Sequence, residues 1–241
     1  MEAIKKIVVI GPESTGKSTL CKKLAAHYDS LWVPEYAREY LEKNGTEYNY
    51  ENLLDIAKGQ IALEDQVSGG GYRVSGIGDQ VSGGKGQATD GVSESTSNLT
   101  PQTSYLIPHT SHLKPQTSLP IPHTSHLKPH TSNPKPLFID TDMYVMKVWC
   151  EFVFNKCHNW ILNRIAERPY DLYLLCDIDL PWIEDPLREY PDKNIRGKLY
   201  HFYKDLMVNQ SRPWCNISGN YEERFEKAVN FIEKGQFDFS R

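Results

Sequence analysis

Residues 11–18 read Gly-Pro-Glu-Ser-Thr-Gly-Lys-Ser. They follow an apolar, β-branched run, Ile4–Ile10, and open a stretch of helical periodicity from Gly16 to about Tyr28. Strand, glycine-punctuated octet and helix, in that order, fit G-x-x-x-x-G-K-[ST] in its proper context. The loop must turn a strand into a helix while aiming several backbone N–H groups at one spot. The helix N-terminus adds partial positive charge at that spot, which suits a phosphate. Lys17 is expected to reach the β- and γ-phosphates of a nucleotide. Ser18 is expected to ligate Mg²⁺, with Thr19 beside it as a lesser candidate. Gly11, Glu13, Ser14, Thr15 and Gly16 complete the expected nucleotide cradle.

The rest of the chain alternates strand and helix signals. Strands are expected at Leu31–Val33, Leu137–Ile139, Leu172–Cys176 and Cys215–Ile217. Helices are expected from Glu51 to about Gln66, with Leu54, Ile61 and Ala62 among the apolar positions. Further helices are expected over Tyr144–Arg168 as one long stretch, Ile195–Val208, and Glu222–Lys234. Such alternation argues for an α/β fold with a parallel sheet covered on both faces.

This pattern is interrupted. Between Ser68 and Lys135 the chain becomes Gly/Ser-rich and then Pro/Thr/Ser/His-rich, and every Trp and Phe lies outside that stretch. Five heptads opening Pro-[Gln/His]-Thr-Ser run from Pro101 to Lys135, and Asp-Gln-Val-Ser-Gly-Gly occurs at Asp65 and again at Asp79. Proline at every heptad start excludes a coiled coil. So little apolar surface cannot offset an ordering cost of about 1–2 kcal/mol per residue. The expectation is one kinase-sized domain, 1–67 plus 136–241, interrupted by a disordered insertion, 68–135. Five histidines fall in the repeats (His109, His112, His123, His126, His130), and the plain reading is duplication of one His-containing unit rather than a metal tract.

Charge and cysteine content narrow the partners. With 27 Lys+Arg against 31 Asp+Glu, the net charge of −4 offers no global basic field for nucleic acid. Five scattered cysteines without a C-x-x-C pair read as reduced thiols in a cytoplasmic protein. No apolar run reaches the length of a membrane span. The sequence is silent on oligomeric state.

Three more segments carry candidate chemistry. Leu137-Phe-Ile-Asp-Thr-Asp142 is an apolar strand ending in acid, the pattern in which a carboxylate supports Mg²⁺; Asp140 is the first choice and Asp142 the second. In Val33-Pro-Glu-Tyr-Ala-Arg-Glu-Tyr40, Pro34 ends the strand and presents Glu35 at its C-terminal end. There Glu35 is a candidate base for an attacking hydroxyl, and Arg38, a helical turn on, a candidate substrate contact. Asp185–Arg196 carries Arg188, Lys193 and Arg196 around two prolines, followed by Lys198. Such a segment is suited to close over a transferring phosphoryl group. Tyr144, Trp149 and Trp182 are aromatics that a planar ring would stack on or that the core would absorb.

Taken together, these segments resemble the ribosylnicotinamide kinase domain of NadR-type proteins, within the P-loop nucleoside-kinase-like group. The matching residues are the P-loop with Thr19, P-E-Y-A-R-E-Y from Pro34, F-I-D-T-D from Phe138, D-I-D-L-P-W-I-E-D-P-L-R from Asp177, and G-N-Y-E-E-R-F from Gly219. The resemblance implies a three-layer α/β/α P-loop fold with five parallel strands. It implies an ATP- and Mg²⁺-dependent phosphotransferase acting on a small nucleoside, nicotinamide riboside, at its 5′-hydroxyl. Lys17, Glu35, Asp140 and Arg188 would then be catalytic, and Glu35, Arg38 and Asp142 would hold the acceptor. Ser18 and Asp140 would hold the metal. Arg196, Asn220 and Tyr221 would join the P-loop around the nucleotide. With the first strand starting at residue 4, a stand-alone kinase is expected, without the adenylyltransferase or DNA-binding domains of NadR proteins. The same motifs also fit a nucleotide-dependent switch or a nucleotide-binding remnant. A guanine-type switch is disfavoured, because Asn155-Lys-Cys-His lacks the final acid of N-K-x-D.

Overall fold

The structure is a computed structural model, and it describes residues 5–69 and 135–234. Five strands, β1 (Lys6–Ile10), β2 (Trp32–Val33), β3 (Leu137–Asp140), β4 (Leu172–Cys176) and β5 (Trp214–Ile217), form one sheet in the order β2-β3-β1-β4-β5. Every pairing is parallel. All strand C-termini therefore share one edge of the sheet. The connection from β1 runs to β2 on one side, whereas the connection from β3 crosses to β4 on the other, and ligands sit beside such a switch in strand order in open α/β sheets.

Strand residues alternate between two cores. Val8, Ile10, Ile139, Tyr173 and Leu175 face one, while Ile7, Val9, Phe138, Leu174 and Cys176 face the other. The second core is covered by α1 (Lys17–His27) and α7 (Tyr221–Lys234), through Leu20, Leu24 and Ala228. The first is covered by α3 (Tyr50–Ser68), α4 (Met143–Phe154) and α6 (Lys193–Asn209), through Val67, Val148 and Tyr203. Each fully buried Leu, Ile, Val or Phe contributes about 1.5–3 kcal/mol, so the continuous apolar strands hold the three layers together. The period of two also turns Asp140 to the same side as Phe138, towards α1.

Two expectations are corrected. The stretch Tyr144–Arg168 is not one helix. Helix α4 ends at Asn155, which takes a left-handed conformation (φ 54°) and donates its N–H to the Glu151 carbonyl at 3.0 Å. Asn tolerates that conformation, and it stops the helix. A new helix, α5 (Asn159–Glu167), follows. On α3, Ala62 is exposed and Leu54 half-buried, and the buried stripe is instead Leu53, Ile56, Ala57, Gln60, Ile61, Glu64 and Val67.

Helix α3 starts at a reciprocal cap between Asn49 and Asn52. It runs on through Ser68, so the folded part reaches past the expected boundary. Near its end Glu64 is buried but takes hydrogen bonds from Lys6 (2.7 Å), Arg168 (3.2 Å) and Tyr170 (2.7 Å). A buried carboxylate needs that many donors. The expected disorder, the repeats and the histidines of the insertion lie outside the described residues.

Candidate active site

At the C-terminal edge of the sheet lies a cleft whose wall runs from the octet 11–18 to the start of α2 (Tyr36–Asn44), and on to α4. The octet has the backbone its glycines allow. Gly11 has φ 139°, and a Cβ there would come to 2.7 Å from the Cys176 carbonyl oxygen. Ser14 (φ 55°) and Gly16 (φ 78°) curl the loop into a concave ring. Thr15 Oγ1 and Lys17 Nζ both donate to the Pro12 carbonyl, at 2.8 and 2.9 Å. Helix α1 opens at Gly16 without a side-chain cap, so its first N–H groups are suited to an anion.

Asp140 is fully buried beneath the P-loop, and neither carboxylate oxygen has a hydrogen-bond partner among the described residues. Burial, and then the nearby Glu35 charge, push its carboxyl above the usual range. Lys17 and Ser18 pull the other way without either closing a well-aligned hydrogen bond. Glu35 occupies the N-cap position of α2, but its side chain makes no capping bond, which leaves the carboxylate on the cleft. Arg38 lines the cleft beside it and pairs with Asp185 at 2.8 Å.

The loop 177–192 lies against the P-loop. Ser14 Oγ accepts from Ile183 N (3.0 Å) and from Arg188 Nη1 (3.3 Å). Glu13 Oε2 accepts from Glu189 N (3.0 Å) and Tyr190 N (3.2 Å). Burial raises the Glu13 pKa, while these two N–H groups and Lys17 oppose the rise. Arg188 thereby lines the cleft. The expected mobile segment ends sooner than Arg196, because α6 starts at Lys193. Lys193 and Lys198 are exposed on that helix. Arg196 is buried behind the P-loop, where it donates to the Ser14 carbonyl at 3.3 Å. Trp182 lies between Arg188 and Arg196, with its ring 5.9 and 5.3 Å from the two guanidinium groups.

Thus Gly11, Glu13 to Thr19, Glu35, Arg38, Arg188 and Tyr221 share one cleft, with Asp140 under its floor. Three expected ligand residues stand elsewhere. Asp142 is buried and caps α4, its Oδ1 accepting from Tyr144 N (3.0 Å) and Val145 N (3.3 Å), while the Tyr173 side chain also bonds the carboxyl. Asn220 caps α7 in the same way, through Glu222 N and Glu223 N. Arg196 supports the loop rather than facing the cleft. Glu13 lines the cleft, but its carboxylate holds the covering loop, a task better suited to an anion than contact with phosphates. Of the aromatics, Trp149 reaches the cleft, while Tyr144 packs edge-on against Tyr173.

Sequence reasoning missed three residues. Arg224, buried on α7, donates to the carbonyls of Thr15 (2.9 Å), Gly219 (2.7 Å) and Asp177 (3.0 Å), and pairs with Asp179. It ties the P-loop to the ends of β4 and β5. Thr141 lines the cleft with φ 76°, a strained conformation for a β-branched residue, and its buried hydroxyl has no partner among the described residues. Gln60 joins the turn around Glu35 to β3. Arg224 and Thr141 left a trace, inside the segments Gly219–Phe225 and Phe138–Asp142, while Gln60 left none.

The family described as an AAA domain matches residues 6–69 and 123–224, more than half of the chain, and skips residues 70–122. The chain is 20% identical over 236 residues to the trifunctional NAD biosynthesis/regulator protein NadR of Escherichia coli (strain K12), covering 96% of this chain and 42% of that protein. It is 19% identical to NadR of Salmonella typhimurium (strain LT2) with the same coverage. It therefore spans less than half the length of these curated relatives. Among solved structures, it superposes on NadR in complex with NR with a TM-score of 0.58 at 16% identity, covering 96% of this chain and 50% of that one. For NadR in complex with NAD and AMP-PNP the TM-score is 0.54, also at 16% identity, with coverage of 96% and 49%. Among the described residues no helix is long and apolar enough to cross a membrane. With its octet, its parallel sheet and these matches, the chain belongs to the AAA-domain family and shares its P-loop α/β fold with the solved NadR structures.

Proposed function

We propose that the chain is an ATP-dependent small-molecule kinase that phosphorylates the 5′-hydroxyl of nicotinamide riboside, giving nicotinamide mononucleotide. The observation that carries the reading is convergence. A phosphate-binding loop, an uncapped carboxylate and a loop-borne arginine meet in one cleft, above a buried carboxylate without a partner. The reading is supported by the ligands of the solved NadR structures, NR in one and NAD with AMP-PNP in the other.

In this reading the P-loop N–H groups and Lys17 hold the ATP phosphates. Glu35 takes the proton of the acceptor hydroxyl as its oxygen bonds to the γ-phosphorus and the bond to the β-bridging oxygen breaks, releasing ADP. Arg188 lies where charge builds on the transferred group. The covering loop keeps water out. Arg38 orients the acceptor, whose ring lies towards Tyr48, Met146 and Trp149 on the same wall.

The residues fit Mg²⁺. A buried, unpartnered carboxylate beside a hydroxyl is an all-oxygen donor set that needs a cation, and Mg²⁺ characteristically takes one or two protein oxygens plus phosphates and waters. Asp140 and Ser18 would hold it, and when bound it would neutralise charge on the β- and γ-phosphates.

The test is a coupled ATP-consumption assay with nicotinamide riboside, the common nucleosides, or no acceptor. Turnover with nicotinamide riboside alone supports the proposal. Acceptor-independent hydrolysis favours a regulatory ATPase, and nucleotide binding without turnover favours a remnant.

A further inference from the structure

Gln60 is 1% exposed, within the otherwise apolar stripe that α3 turns to the molecule. Burying an amide without partners costs about 1–3 kcal/mol. Here the amide is used, and every partner is a backbone group at the active edge. Its Oε1 accepts from Tyr36 N at 2.7 Å, and its Nε2 donates to the Pro34 carbonyl at 3.2 Å. The same Nε2 reaches the Asp140 carbonyl at 3.5 Å. One side chain thus grips the residues on either side of Glu35 and the backbone of the residue beneath the P-loop.

The sheet leaves that job undone. Strand β2 is two residues long, and its ladder to β3 ends at Val33 opposite Ile139. No further rung ties the chain after Val33 to Asp140, because Pro34 ends the strand. Gln60 supplies the bridge in its place. Its neighbour is shaped for the same contact. A Cβ on Gly59 would come within 1.9 Å of the Tyr36 ring, so only a bare Cα lets the start of α2 lie this close to α3.

We infer that Gln60 is a positioning residue that sets Glu35 relative to Asp140, and so places the proton acceptor against the phosphate end of the cleft. The inference rests on the kinase reading above. A displacement of about 1 Å at a reacting group costs as much as a hundredfold in rate. Neither Glu35 nor the P-loop is removed, so nucleotide binding is expected to survive.

The experiment compares the wild-type protein with Gln60→Met, similar in length but unable to bridge, and Gln60→Glu, which keeps the acceptor for Tyr36 N–H but loses the Nε2 donor. The readouts are kcat, KM for ATP, and binding of a fluorescent ATP analogue. Both variants are expected to lose about 10- to 100-fold in kcat while ATP-analogue affinity stays within about threefold. If Gln60→Met fails to fold, Gln60→Glu decides alone. Unchanged kcat in a folded variant overturns the inference and leaves the kinase reading standing. So does a parallel loss of kcat and nucleotide affinity, which marks a merely structural role. A wild-type protein that binds the analogue but turns over no acceptor sinks the kinase reading, and the inference with it.

Discussion

Among the described residues, Lys17 makes one hydrogen bond, to a carbonyl of its own loop at 2.9 Å, and belongs to neither sheet core. Lys17→Ala is therefore expected to abolish turnover while far-UV circular dichroism and the melting temperature stay unchanged. Near-normal turnover would remove the lysine from the mechanism. Asp142 is the opposite case, an acid in a catalytic-looking strand end whose oxygen is spent on two helix N–H groups. Asp142→Asn retains an acceptor oxygen, and KM for the acceptor should be unchanged. Asp142→Ala should lose about 1–2 kcal/mol of stability in urea titrations. A large rise in KM for the stably folded Asn variant would restore Asp142 as a ligand. These residues also show what a sequence can carry. The octet was legible because each position answers to local backbone geometry and charge. Gln60 and Arg224 were not, because in sequence they are ordinary helix residues. Their partners are backbone carbonyls brought to them from remote parts of the chain, and a carbonyl has no sequence signature.

At the scale of elements, the strands were legible from apolar runs, down to the two-residue β2, and the helices from periodicity except α2, which buries no side chain and so carries no apolar stripe. The break between α4 and α5 was not foreseen, because apolar residues persist across it and only the left-handed Asn155 stops the helix. The segment Asp185–Arg196 was expected as a mobile cationic cover, and its part before α6 belongs to the loop 177–192. The structure adds how it is seated, with four donors from the loop reaching Glu13 and Ser14. The two acceptors belong to the variable positions of the octet, so phosphate binding and loop seating share one piece of backbone. Glu13→Ala removes the seat of Glu189 and Tyr190, and the loop should then admit water. The expected result is a fall in phosphotransfer with a rise in acceptor-independent ATP hydrolysis of about tenfold. Glu13→Gln keeps a carbonyl oxygen and should stay near wild type in both assays. If Glu13→Ala leaves the ratio of transfer to hydrolysis unchanged, the seat has no role in excluding water.

At the scale of the whole molecule, the question is how the cleft coexists with the long segment that interrupts the fold. Parallel strands put the answer in the geometry of the flanks. The cleft lies at the strands' C-terminal edge, where α3 places Leu53, Ile56 and Gln60. One or more turns further along, the same helix places Glu64 against Lys6 at the start of β1, and it ends at Ser68. The chain returns at Lys135, and Leu137 N donates to the Lys5 carbonyl at the same N-terminal edge. Both flanks therefore stand at the edge opposite the cleft, and the family match independently resumes only at residue 123. Replacing residues 70–134 with a linker of about eight residues shortens the connection by roughly three halvings, which lowers its closure cost by about 2 kcal/mol. The shortened protein is expected to melt at the same or a higher temperature and to keep kcat/KM within about twofold of the parent. Size-exclusion chromatography and the coupled assay on both proteins would check this. A tenfold loss in a folded, monodisperse deletion would mean that the segment acts on the site, despite joining the fold at its far edge.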